Sequence, residues 1–341
     1  MCFNIQIKLM KLHKNLQNLL VVTFVLLLLG LGCSKEEPKP EVNTPRRDKY
    51  ITAEETRQPD NTDPNKMTNT SDKMTNTSDS NKATIDRTNF HSVLEDSLKK
   101  RNLKPSDICN ESDPVEKRIL SEYGAVFLTA AAPPPACMFK SENDVTNFQK
   151  SVSSSIENIG GAKVELQSDA MKALLAAIEE AKAQGLKITP RDGEEASKRD
   201  FEGTLRLWKS RFDPGCEHWK KAGKLTDDQI NKLKSLPINE QVKEVLELEK
   251  QGLYFNTFFN ATILSSVAAP GTSQHLSMLA FDAVEFQDTK IRQIMANHGW
   301  FRTVKGDEPH FTYLGVKEND LKNMGLQKAD TPKGEFWIPN V

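Results

Sequence analysis

Little in this chain points to nucleic acid, thiol chemistry or phosphate binding. Lys and Arg number 46 against 47 Asp and Glu, a formal net charge of -1. Without a basic excess there is no electrostatic footprint for a phosphate backbone, so nucleic acid is not an expected partner. Cysteine is scarce, 5 in 341 residues, and no two stand as C-x-x-C. That leaves a cysteine zinc knuckle and a thioredoxin-type site without support. No glycine-rich loop of the Walker type occurs. An apolar run long enough to span a membrane is missing too: the stretch from Leu19 to Leu29 falls short of the roughly 20 residues a spanning helix needs.

That stretch has the anatomy of an export signal instead. Lys8, Lys11 and Lys14 precede it, and Gly30-Leu31-Gly32-Cys33 closes it. A basic start, a short apolar core and small residues before the cut are the marks of a secretory leader. A cysteine directly after Gly-Leu-Gly resembles the lipobox of bacterial lipoproteins, with Gly30 standing where the commonest pattern has Leu. The resemblance implies lipidation of Cys33 and a membrane-anchored protein of the cell envelope, facing the periplasm or the exterior. An uncleaved signal anchor is the alternative.

Residues 34–83 follow, rich in Pro, Thr, Asn, Asp and Lys and nearly free of aliphatic residues. They carry Lys66-Met67-Thr68-Asn69-Thr70-Ser71-Asp72, repeated at once from Lys73 to Asp79. Such a segment buries too little apolar surface to offset its ordering entropy, which predicts a disordered tether. The folded body is then 84–341, read as one domain.

Within the body, Asp113-Pro114-Val115-Glu116 reads as a capped helix start. Ala125–Leu128 reads as a strand, and Pro133-Pro134-Pro135 breaks it. Cys109 and Cys137 bracket this unit and are expected to pair in an oxidising compartment, leaving Cys216 free; two buried thiols are the alternative. Val164 and Leu166 alternate as in a strand, a helix spans 170–184, and Leu186–Thr189 returns as a strand. Helices are expected over 201–211 and 239–251, with a further helix start in Lys224–Ile230. The last 75 residues or so look strand-rich, with turns at Gly271, Gly299, Gly306 and Gly315. Strands and helices without a regular βαβ rhythm predict an α+β fold.

Two segments carry candidate chemistry. Pro270-Gly271-Thr272-Ser273-Gln274-His275 runs on to Ala280-Phe281-Asp282, and Gly306-Asp307-Glu308-Pro309-His310 runs on to Phe311-Thr312-Tyr313-Leu314-Gly315. Imidazole nitrogens and carboxylate oxygens are ordinary zinc ligands, and a catalytic zinc uses three protein ligands and one open position. His275, Asp282 and His310 supply three. Asp282 lies in an apolar stretch, where a carboxylate needs a charge partner or a metal, and no Lys or Arg stands near it in sequence. His218, beside Cys216, lacks a second cysteine at zinc-finger spacing and reads as structural. Trp208, Trp219 and Trp300 read as core or cleft-wall residues.

The first segment resembles the Ser-x-His-(six residues)-Asp signature of VanY-type D-alanyl-D-alanine carboxypeptidases, within the LAS zinc peptidases. The second resembles that family's Glu-Pro-Trp-His-Phe-Arg-Tyr-Val-Gly stretch. The resemblance implies a central antiparallel sheet flanked by helices, Zn2+ on His275, Asp282 and His310, and a peptidoglycan peptide as substrate. It also implies a carboxylate base and a substrate-binding arginine. Arg199, in Ser197-Lys198-Arg199-Asp200, is the arginine candidate, with Arg191 in reserve. Two departures matter. Met278 stands where the family has Gly, so the backbone after His275 is expected to run differently. The Trp between Pro and His is absent. Glu308 is the base if that gap is a true deletion, and Asp307 if the segments align without one; Glu308 is favoured for its longer side chain. The competing reading is a family member that lost catalysis and binds cell-wall peptide or a protein.

Overall fold

The computed structural model describes residues 89–341. The expected leader, the lipidation site Cys33 and the tether over 34–83 lie outside the described residues. The described part falls in one compact unit. It combines helices with three small antiparallel sheets, the α+β class expected. Among the described residues no helix is long and apolar enough to cross a membrane.

Helices come first: α1 (Phe90–Lys99), α2 (Pro105–Ile108) and α3 (Pro114–Tyr123). The start of α3 follows its sequence. Asp113 accepts the backbone N–H groups of Val115 and Glu116, and Pro114 takes the first turn, where no N–H is needed. A 3-10 turn over Gly124–Leu128 then replaces the expected strand. All its residues are buried, and a short run apolar on every side has no period to separate strand from turn.

The next elements are α4 (Glu142–Ser151), the hairpin of β1 (Ser154–Ile159) and β2 (Ala162–Gln167), and α5 (Ser168–Ala183). The strand expected at Leu186–Thr189 does not form a ladder; a single bridge joins Pro190 to Ala283. Proline has no N–H to extend such a pairing. Helix α6 (Phe201–Lys221) runs beyond its expected end at Arg211 and straight through Pro214. Packing outweighs the lost hydrogen bond: Trp208, Phe212, Gly215 and Cys216 are all buried along it. Two shorter helices follow, α7 (Asp227–Ser235), opened by a Thr226/Gln229 capping box, and α8 (Ile238–Lys250).

The final third holds β3 (Ala280–Asp282), α9 (Thr289–Asn297), β4 (Trp300–Phe301), β5 (His310–Tyr313), β6 (Leu326–Thr331) and β7 (Gly334–Pro339). The central sheet has the order β3-β5-β4 and is antiparallel throughout. Strand β4 sets Trp300 opposite Tyr313 and so supports the strand that carries His310. Trp208 and Trp300 are fully buried core residues. His218 stacks on Phe259 at 4.1 Å between ring centroids.

A disulfide joins Cys109 to Cys137, with a sequence separation of 28, and Cys216 is a buried free thiol. The bond secures the loop leading to Phe139, whose N–H donates to the carbonyl of Gly271 at 2.8 Å. Gly271 has φ +81°, and a Cβ there would lie 2.0 Å from the Phe139 carbonyl oxygen. Only glycine fits. Replacing both cysteines by alanine is expected to destabilise the protein by about 3–4 kcal/mol through the entropy of the opened loop. Urea unfolding of both forms with and without reductant measures this; reductant should weaken the wild type and leave the double variant unchanged.

Candidate metal centre

The register of the central sheet builds most of the site. Asp282 on β3 stands directly opposite His310 on β5, and Ala280 opposite Thr312. Cross-strand partners share a face, and alternate residues along a strand share it too. Asp282, His310 and Thr312 therefore face one way, while Phe281 and Phe311 face the other and are buried in the core.

His275 arrives from a 3-10 turn over Gln274–Ser277. That turn ends at Met278, which has φ +55° and ψ +34° and a fully buried side chain. This is the left-handed conformation that glycine favours, and a side chain there costs roughly 1–2 kcal/mol. Met278 thus follows a glycine-type path at some cost, where a different course was expected.

Three side chains converge. His275 Nε2 lies 3.1 Å from His310 Nδ1 and 3.3 Å from Asp282 Oδ1, and His310 Nδ1 lies 3.1 Å from Asp282 Oδ1. All three residues are buried. Zinc at about 2.0–2.2 Å from each donor in a tetrahedron requires donors about 3.3–3.5 Å apart. The observed triangle has nearly those edges, so the donor set fits zinc. Among the described residues one other close group of metal-ligand type exists, Cys109, Glu116 and Cys137, and its thiols are joined in the disulfide.

Surrounding residues fix the orientation of His310 and Asp282, whereas His275 Nδ1 is buried with no partner. His310 Nε2 donates to Gln274 Oε1 at 2.9 Å, which leaves the Nδ1 lone pair toward the triangle. Gln274 is held in turn by its Nε2 donating to the Tyr123 carbonyl at 3.0 Å and by Thr312 Oγ1 donating to its Oε1. Gln274 stands next to His275 in sequence, but only the fold gives it this role. Arg199 Nη2 meets the other oxygen of Asp282, Oδ2, at 3.2 Å. The carboxylate therefore turns one oxygen to the histidines and the other to a guanidinium. Arg199 is the charge partner that Asp282 lacked among its sequence neighbours.

The electrostatics follow. Burial, reinforced by Arg199 and only partly opposed by Asp282, lowers the pKa of His275 to about 4. Burial alone would raise the Asp282 carboxyl, but His275 and His310 outweigh it and hold it well below the usual range. Burial also opposes charge on His310, yet the hydrogen bond and charge of Asp282 prevail and raise its pKa. His275 is thus a ready neutral donor, whereas His310 keeps a proton to higher pH.

The triangle opens into a cleft of about 290 Å³ lined by Arg191, Arg199, Tyr123, Asp307 and the 264–268 segment, among others. Asp307 is exposed to this cleft. The nearest charges act on it in opposite senses: His310 pulls its pKa down and Asp282 pushes it up. Glu308 does not line the cleft and lies 3.9 Å from Lys333 Nζ. Arg191 also lines the cleft, paired with Asp192 at 3.6 Å.

No protein-family model matches the chain, and no curated protein sequence does. Solved structures give distant likenesses. One is to the vancomycin-resistance D,D-pentapeptidase VanY of a VanB-type cassette in complex with Zn(II), at 17% identity and TM-score 0.27, covering 48% of this chain and 79% of that one. VanYB in complex with D-alanine-D-alanine gives 17% identity and TM-score 0.29, over 50% of this chain and 83% of that one. The LdcB LD-carboxypeptidase gives 17% identity and TM-score 0.28, over 50% and 70%. With TM-scores of this size, the case for an activity rests on the residues of the site.

Proposed function

We propose that this protein is a lipid-anchored zinc peptidase of the cell envelope that hydrolyses peptidoglycan stem peptides, in a D,D-carboxypeptidase-like or an endopeptidase mode. The observation that carries this reading is the near-tetrahedral spacing of His275 Nε2, His310 Nδ1 and Asp282 Oδ1 at the floor of an open cleft. Lipidation of Cys33 and the tether over 34–83 would hold the body within reach of the wall.

Zinc bound by these three residues would supply Lewis acidity toward water and the scissile carbonyl. Asp307 is the proposed base. It lines the cleft that opens from His310, which Glu308 does not, and so is placed to accept and return a proton there. In this role Asp307 takes a proton from the attacking water and delivers one to the leaving amine. Glu308, turned toward Lys333, is less suited. Arg199 lines the cleft while its Nη2 holds Asp282, which sets its guanidinium beside the place where negative charge would develop on the substrate carbonyl oxygen.

The zinc content of the purified protein tests the donor set, with one ion per chain expected and none in His310→Ala. Affinity measured against a competing chelator should fall as pH drops. His310 must lose its proton to bind, so below its raised pKa the affinity declines about tenfold per pH unit. His275, with its pKa near 4, adds no further dependence until that range. Gln274→Leu, which frees the outer nitrogen of His310, should weaken zinc binding by about 10- to 100-fold.

The base is tested by cleavage of a D-alanyl-D-alanine pentapeptide followed by mass spectrometry. Asp307→Asn should lower kcat by about 10²- to 10⁴-fold with zinc retained, and Glu308→Gln should stay close to wild type. The reverse pattern would transfer the role to Glu308. Zinc without turnover in the wild type would leave a peptide-binding protein.

A further inference from the structure

Helix α6 forms a long wall of the cleft. Thr204, Leu207 and Arg211 all line it, and their spacing of three and four residues places them on one helix face. From Phe201 at the start of α6 to Arg211 the wall runs about 15 Å, at roughly 1.5 Å per residue. Arg199 and the metal donors stand at its beginning. An extended peptide covers that distance with about four residues of roughly 3.3 Å each. The cleft can hold a segment of substrate beyond the bond to be cut.

Charge along this wall is uneven. Arg199 is engaged by Asp282 and Arg191 by Asp192. Arg211 has no carboxylate at ion-pair distance among the described residues. Its Nη1 reaches Ser210 Oγ at 3.1 Å and the Ser210 carbonyl at 3.5 Å, the carbonyl that Pro214 leaves without its helical donor. Its Nε is buried with no partner at all. Lys305, from the loop before β5, lines the same cleft and also pairs with no acid among the described residues. Cations without counter-charges in a concave wall attract an anion, and a guanidinium can grip a carboxylate at two points.

We infer that Arg211 is a specificity residue that pairs with a second carboxylate, carried by the substrate on the N-terminal side of the bond cleaved. This rests on the peptidase reading of the site and deepens it. In a stem peptide the matching group is the free α-carboxylate of the γ-linked glutamate, two residues before the alanine whose carbonyl is attacked; the γ-linkage puts the glutamate methylenes in the path, so the carboxylate reaches about 12 Å from that carbonyl and hydrogen-bond distance to the guanidinium covers the rest. A peptide with an amide in that place would lack the partner.

The test compares L-Ala-γ-D-Glu-L-Lys-D-Ala-D-Ala with the same peptide carrying an amide at that α-carboxylate. Binding to full-length, zinc-loaded Asp307→Asn protein is read by calorimetry, and kcat and KM are read in the wild type. The acid should bind about tenfold or more tightly than the amide, as expected for a charge pair within a cleft. Adding Arg211→Gln should remove the difference with zinc content unchanged, and Arg211→Lys should restore part of it. In the wild type the difference should lie in KM more than in kcat. Equal binding of the two peptides, binding of neither, or a preference that survives Arg211→Gln overturns the inference. Loss of zinc, or no turnover of either peptide, counts separately against the peptidase reading, because the binding comparison requires no cleavage.

Discussion

The carboxylate of Asp282 is the group around which this end of the molecule is arranged. It is only 7% exposed, and a charge so placed is costly unless it is paired. Here Oδ1 meets two imidazoles and Oδ2 meets a guanidinium. Meeting those demands fixes much else. The β3–β5 register must set residue 282 against residue 310, the turn before β3 must present His275, and the segment before α6 must bring Arg199 across 83 positions of sequence. A shift of one residue between β3 and β5 would turn Asp282 toward the apolar core and Phe281 toward the cleft. Register, charge pairing and donor geometry are therefore one constraint rather than three.

Local signals in the chain were legible wherever a single short-range mechanism decides the outcome. The cap at Asp113, the helix start read in Lys224–Ile230 and the alternation of Val164 and Leu166 each found the expected element. The buried run Gly124–Leu128 misled, because uniform apolarity carries no period. Pro214 misled in the opposite sense: the local penalty was real, but buried Trp208, Phe212 and Cys216 overrode it. The three donor residues were visible as types and spacings. Their outer partners were not, because Gln274, Thr312 and Arg199 acquire their roles from contacts made across the fold. That Asp307 lines the cleft and Glu308 does not was likewise invisible in sequence, since it turns on which way each side chain leaves the loop before β5.

Cost is concentrated close to the site. Met278 holds a left-handed backbone, His275 Nδ1 and Arg199 Nε are buried without partners, and Gly271 is pressed against a backbone carbonyl. Penalties of this kind persist only where the surroundings over-determine the conformation. The surroundings here do so: the side chain of Met278 is fully buried, and the Phe139 loop on the other side of Gly271 is tied down. Rigid backing holds His275, Asp282 and His310 close to one another.

The Cys109–Cys137 bond adds a matter of timing to that rigidity. It anchors the loop whose Phe139 braces Gly271, a few residues ahead of His275. A newly synthesised chain has thiols at these positions and braces the loop with non-covalent contacts alone. The covalent part of that bracing is added only when the two thiols are oxidised, so the stiffness of this loop follows the redox conditions around the chain.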